Sequence, residues 1–155
     1  KKLPFQNFDD IYSNLPKYIE YSYTHIPSKM QYFNFPGNWK TFNSKWMKEY
    51  QKDLGNIYML KYEELLHDTE KTLHKLLNDF FSIEVNEERL KQVIRKYSFE
   101  NQTKRKKGEE NIKSFLRKGV SGDWKNNFNN EAKAKFKKYA GDMLVNLGYE
   151  KNDMW

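Results

Sequence analysis

At 155 residues the chain is sized for one domain with a real core, and 11 Tyr, 11 Phe and 4 Trp exclude a disordered polybasic tail. The absence of cysteine excludes disulfides, thiolate metal sites and thiol catalysis. A net charge of +7 suits a polyanionic ligand such as a nucleotide or nucleic acid, although lysine and asparagine richness produces the same sum without any partner.

His25, His67 and His74 are scattered and show no metal-ligand spacing. No apolar run approaches membrane-spanning length, and no signal-peptide core is visible. The first residue is Lys1 and not methionine, so the chain is read as a piece of a longer one.

Residues 1–36 are rich in aromatics and punctuated by Pro4, Pro16, Pro27 and Pro36. Phe8, Ile11, Tyr12 and Leu15 recur at helical spacing behind Asp9 and Asp10, and Pro16 is expected to end or bend that helix. From Tyr18 to Phe35 the aromatics Tyr18, Tyr21, Tyr23, Tyr32 and Phe33 keep no clean period. A short helix and a loop are expected there. Packing in the core is the favoured reading, with an acceptor pocket as the other.

Gly37-Asn38 opens a helix whose Trp39, Phe42, Trp46, Met47 and Tyr50 share a face, and Gly55 marks its stop. Residues 56–62, Asn-Ile-Tyr-Met-Leu-Lys-Tyr, read as one buried strand of a parallel sheet. Asp68 is placed to cap a helix carrying Leu73, Leu76, Leu77, Phe80 and Phe81, with His74 at the boundary of that stripe. A further helix starts at Asn86, with Glu87 and Glu88 at its positive end. Val85 and Leu90 are spaced for a staple, and Leu90, Val93, Ile94 and Tyr97 form its expected buried face. The run Lys104-Arg105-Lys106-Lys107 is read as a solvated loop, with nucleotide or nucleic-acid contact as the alternative. A last helix from about Asn129 to Gly148 aligns Phe136, Tyr139, Ala140, Met143, Leu144 and Leu147.

Between the last two helices lies the stretch with the most chemistry, Phe115-Leu116-Arg117-Lys118-Gly119-Val120-Ser121-Gly122-Asp123-Trp124-Lys125-Asn126. Arg117 offers a planar fork of donors that fits a phosphate, Lys118 adds a point charge, and backbone N–H groups around Gly119 can complete an anion nest. A surface turn beside a buried tryptophan is the plainer alternative.

The run Arg-Lys-Gly-x-x-Gly-Asp-Trp-Lys-Asn resembles the C-terminal signature of sulfotransferases that use 3'-phosphoadenosine 5'-phosphosulfate (PAPS). Gly37-Asn38-Trp39, Lys61-Tyr62-Glu63-Glu64-Leu65, Ser98-Phe99 and Phe115-Leu116 also occur in family order. The likeness covers residues 37–149 well and residues 1–36 loosely, within a single domain over 1–155. It implies the C-terminal part of an α/β, P-loop-like sulfotransferase fold, mostly helical with one or few parallel strands.

The resemblance also implies a cofactor site. Arg117, Lys118 and Gly119 would hold the 3'-phosphate, while Tyr62, Ser98, Phe99 and Phe115 would lie about the adenine. The family places Thr or Ser before Ser-Phe to bond the adenine, but Tyr97 stands there in this chain. The strand–loop–helix for the 5'-phosphosulfate, the catalytic histidine and an Arg/Ser pair are not found, so no catalytic residue is assigned. The implied reaction moves a sulfuryl group from PAPS to a hydroxyl or amine of a small-molecule, glycan or peptide acceptor, releasing adenosine 3',5'-bisphosphate. It implies a cytoplasmic setting and an N-terminal half of the fold that completes the enzyme, with this chain inactive alone. A non-catalytic basic helical module binding nucleic acid or a protein partner is the rival reading. The family's dimerisation segment is not reproduced after Lys125, which leaves oligomeric state open.

Overall fold

Asp10, Asn38, Asp68, Asn86, Ser98 and Asn129 precede the main helical stretches, and short side chains of this kind accept hydrogen bonds from the open N–H groups of a first turn. The computed structural model describes residues 7, 9–25, 37–152 and 154. Its helices are α1 (Ile11–Thr24), α2 (Trp39–Lys52), α3 (Tyr62–His67), α4 (Thr69–Lys75), α5 (Glu87–Tyr97), α6 (Phe99–Thr103) and α7 (Asn130–Asn146). All six side chains named above accept such a bond, from Ser13, Thr41, Lys71, Arg89, Asn101 and Ala132 respectively. The chain divides into two compact units, residues 1–52 with 124–155, and residues 53–123.

In the first unit, α1 and α2 both pack on α7. Ala132 and Ala140 are completely buried, and residues this small let a neighbouring helix approach closely. Tyr23 stacks on Tyr139 at 5.1 Å, and Trp39 and Phe128 lie 5.6 and 5.8 Å from the Phe136 ring. Of the aromatics between Tyr18 and Phe35, Tyr23 is therefore core, while Tyr32 and Phe33 lie outside the described residues, as does Phe8. Two ion pairs cross the helices, Lys40–Asp142 at 2.7 Å and Lys135–Glu20 at 2.6 Å. Gly148 adopts φ +69, and the N–H of Tyr149 turns back to the Leu144 carbonyl at 2.8 Å, which ends α7 where expected.

Pro16 does not end the first helix. It lies inside α1 and is completely buried. A proline there removes the N–H that should reach the carbonyl of Tyr12, four residues back. The Asn129 amide supplies the missing donor, its Nδ2 lying 2.9 Å from that carbonyl. The same side chain accepts from the Ala132 N–H at 2.8 Å through Oδ1, so one residue caps α7 and completes α1.

The second unit carries α3 to α6. The expected strand at 56–62 is not formed, and no strand occurs among the described residues. Ladder hydrogen bonds need a neighbouring strand, and no described segment provides one. The β-forming residues pack individually instead, with Tyr58 5.3 Å from Phe80, and Tyr62 opens α3. The helix begun by α4 widens into a π-helical turn over Leu76–Phe80, closed by the Phe81 N–H on the Leu76 carbonyl. That extra residue per turn breaks the predicted stripe and leaves Phe81 exposed. On α5 only Leu90 is fully buried, and the expected burial of Val93 and Tyr97 is overturned.

Candidate functional site

Ser98 stops α5 and starts α6, its hydroxyl oxygen accepting from the Asn101 N–H at 3.2 Å. Phe99 is thereby fixed as the first residue of α6. Lys104 ends that helix in a left-handed conformation at φ +59, and the Arg105 N–H bonds Thr103 Oγ1 at 3.1 Å. This reversal carries the Arg105 guanidinium over the Phe99 ring, 5.1 Å from its centre.

Arg105 is the organising residue of the following loop. Its Nη1 donates to the carbonyls of Glu109 at 2.6 Å and Arg117 at 2.9 Å, and its Nη2 donates to that of Leu116. The backbone adds bonds from the Gly108 N–H to the Lys118 carbonyl and from the Asn111 N–H to the Arg117 carbonyl, at 2.8 and 2.9 Å. The expectation of a solvated cationic run thus fails at Arg105. Three carbonyls converging on one planar fork are a geometry that lysine cannot serve. Nothing in the spacing of four successive cations distinguished this one, since its partners lie up to 12 residues away.

Gly119 then turns the chain with φ +66 against Phe99. A Cβ at this position would lie 2.5 Å from the Phe99 ring, so only glycine lets the backbone come this close. Arg117 and Lys118 reach the same two carboxylates. Arg117 bonds Glu110 and Asp123, and Lys118 lies 2.6 Å from Asp123 and 3.9 Å from Glu110. The hydrogen bond to Asp123, followed by that to Glu110, raises the Arg117 pKa further above its ordinary range. Two cations and two anions therefore form one closed network.

Beside this network is an open cleft of about 400 Å³ lined by Tyr62, Leu66, Tyr97, Phe99, Phe115, Leu116, Arg117, Lys118, Gly119 and Val120. Six of the seven residues singled out in the sequence lie on it. Ser98 does not, and acts as the cap of α6. The Phe115 ring is 100% exposed, and Tyr97 and Tyr62 are 63% and 55% exposed, so these flat faces are open to a ligand. Tyr97 and Leu66 belong to the wall without having been assigned to the site. The α5 stripe pointed Tyr97 inward, but that helix ends at this residue and buries little of its side chain.

The histidines lie elsewhere. His25 stacks on Tyr21 at 4.5 Å, and His74 Nε2 lies 3.1 Å from a Glu87 oxygen in a second depression with Asp68, Glu70 and Lys71. Among the described residues no cluster of His, Asp or Glu could hold a metal ion. Nor, among them, is any helix long and apolar enough to cross a membrane.

Known proteins match the chain over most of its length. The family model for the sulfotransferase domain matches residues 8–148. Human sulfotransferase 2A1 is 30% identical over 123 residues, covering 74% of this chain and 42% of that protein. Human sulfotransferase 1C2 is 29% identical over 134 residues, covering 80% and 43%. Rat sulfotransferase 1 family member D1 is 28% identical over 155 residues, covering 83% and 50%. The chain thus spans half or less of the length of these relatives, and no solved structure matches it significantly. With the family model matching residues 8–148, this chain belongs to the sulfotransferase domain family, whose fold is of the P-loop-like kind.

Proposed function

We propose that this chain provides the 3'-phosphate and adenine part of a PAPS site, in an enzyme that transfers a sulfuryl group to a hydroxyl or amine acceptor. One observation carries the reading: the two cations beside Gly119 share a single cleft with the open rings of Tyr62, Tyr97 and Phe115 and with Phe99 in its wall. The cleft volume falls within the roughly 300–1,000 Å³ usual for small-molecule sites. Both halves of an adenosine 3'-phosphate find suitable chemistry there. A purine offers a face to aromatic rings, and a phosphate accepts from a guanidinium fork and an ammonium.

Arg117 takes the phosphate bidentately, and Lys118 adds charge from its half-buried position. Gly119 lets the main chain come close enough for its N–H groups to take part. Phe99 serves twice, as a wall of the cleft and as the surface against which the Gly119 turn is set. Ser98 acts indirectly, by starting the helix that carries Phe99. When bound, PAPS supplies the activated sulfuryl group and the bisphosphate leaving group. These residues hold and orient it, which is most of what such a transfer asks of a protein. The acceptor and the groups that activate it belong to the rest of the proposed enzyme.

Calorimetric titration with adenosine 3',5'-bisphosphate, with adenosine 5'-monophosphate as control, tests the reading. Binding should depend on the 3'-phosphate. Arg117→Ala should weaken it roughly tenfold to a hundredfold, the range for hydrogen bonds to a charged group. Equal binding of the two nucleotides, or unchanged affinity in Arg117→Ala, would overturn the assignment.

A further inference from the structure

We propose that Glu110 is a displaceable internal anion that occupies the phosphate edge of Arg117 and sets how tightly the site takes its ligand. This rests on the nucleotide reading above and adds a residue that lies outside the Arg-Lys-Gly signature. The two carboxylates in the network are not equivalent. Asp123 has a 13% exposed side chain and lies 2.5 Å from an Arg117 nitrogen and 2.6 Å from Lys118 Nζ. It follows Gly122 within the signature turn and fixes how the two cations are aimed. Glu110 has a 36% exposed side chain, bonds the other Arg117 nitrogen, and stays 3.9 Å from Lys118.

The guanidinium therefore presents one edge to a well-anchored partner and the other to an exposed one. A phosphate approaching that second edge must compete with the Glu110 carboxylate, which holds an N–H of Nη1 and sets a negative charge against any incoming anion. The dianion then gains both cations at the cost of one half-exposed ion pair, a trade favoured by its greater charge. Glu110 also keeps the site closed to weaker anions, because a monoanion offers no more charge than the carboxylate it must displace.

The test compares wild type, Glu110→Gln and Glu109→Gln. Glu109 is an adjacent exposed carboxylate whose side chain accepts from the Lys106 N–H, so its substitution makes the same change in net charge away from Arg117. Adenosine 3',5'-bisphosphate and inorganic phosphate are titrated into each by calorimetry. The proposal expects Glu110→Gln to bind both probes more tightly, by roughly threefold to tenfold at low salt, with little change in Glu109→Gln. Unchanged affinity in Glu110→Gln, or an equal gain in both variants, would overturn it. If the bisphosphate binds no protein tightly while phosphate still prefers Glu110→Gln, the nucleotide reading fails and the counter-ion role stands. If the bisphosphate binds wild type and Glu110→Gln equally, the nucleotide reading stands and the counter-ion role fails. If no anion binds any of them, both fall.

Discussion

Replacing Asn129 tests whether one amide joins two helices. Asn129→Ala removes the acceptor that caps α7, worth about 1 kcal/mol, and the donor to the Tyr12 carbonyl, worth about 1 kcal/mol more. The expected total is about 2 kcal/mol. Asn129→Asp keeps an acceptor for the Ala132 N–H, and its charge suits a helix N-terminus. It loses the donor and turns an oxygen toward the Tyr12 carbonyl, so it should still cost about 1 kcal/mol. Pro16→Ala restores a backbone N–H for that carbonyl. In this second background Asn129→Asp should cost clearly less, by about 0.5–1 kcal/mol, whatever Pro16→Ala costs in lost packing. Tryptophan fluorescence during denaturant unfolding reads the right unit, because the described tryptophans Trp39, Trp46 and Trp124 all belong to it. Equal costs of Asn129→Asp in both backgrounds would refute the reasoning, since Tyr12 would then not depend on the amide.

Other expectations concern the loop and the pH range. Gly119→Ala should destabilise residues 53–123 by more than Gly122→Ala: both glycines have positive φ, but only a Cβ at 119 meets the Phe99 ring. Differential scanning calorimetry compares the two, and equal effects would mean that the ring simply moves aside. Arg105→Lys keeps the charge and loses the planar fork, so amide exchange at Gly108 and Asn111 should quicken while α5 is unchanged. Unaltered exchange at both amides would make Arg105 a bystander. The stability of the unit containing α1, α2 and α7 should fall at both ends of the pH range. The hydrogen bonds from Lys135 and Lys40 hold Glu20 and Asp142 below the ordinary carboxylate range. Their contribution is full above the unfolded carboxylate pKa and is lost as pH drops through the lower folded values. Burial pushes Tyr23 up to about 12, so stability should decline from about pH 10, where the unfolded tyrosine ionises. Fluorescence-monitored denaturation at pH 3, 7 and 11 checks both limbs, and a flat profile would count against the pairs and the buried phenol.

Helix starts at Asn38, Asp68, Asn86 and Asn129 were legible in the sequence, because a cap is a local bond between a side chain and the third N–H beyond it. The end of α7 at Gly148 and the turn at Gly119 were legible for a related reason, since both glycines take a positive φ that suits few other residues. The strand at 56–62 was not decided locally, since its ladder needs partners that no described segment offers. Pro16 reads as a helix breaker until Asn129, 113 positions away, supplies the missing donor. Arg105 reads as one cation among four until three carbonyls and the Phe99 ring gather around it. The pairing of Arg117 and Lys118 with Glu110 and Asp123 likewise depends on how the loop closes. Composition and spacing determined which groups this protein has to offer and where its helices begin. Tertiary structure decided which of those groups meet, because a hydrogen bond or ion pair requires both partners within about 3–4 Å, a distance that only the folded chain sets.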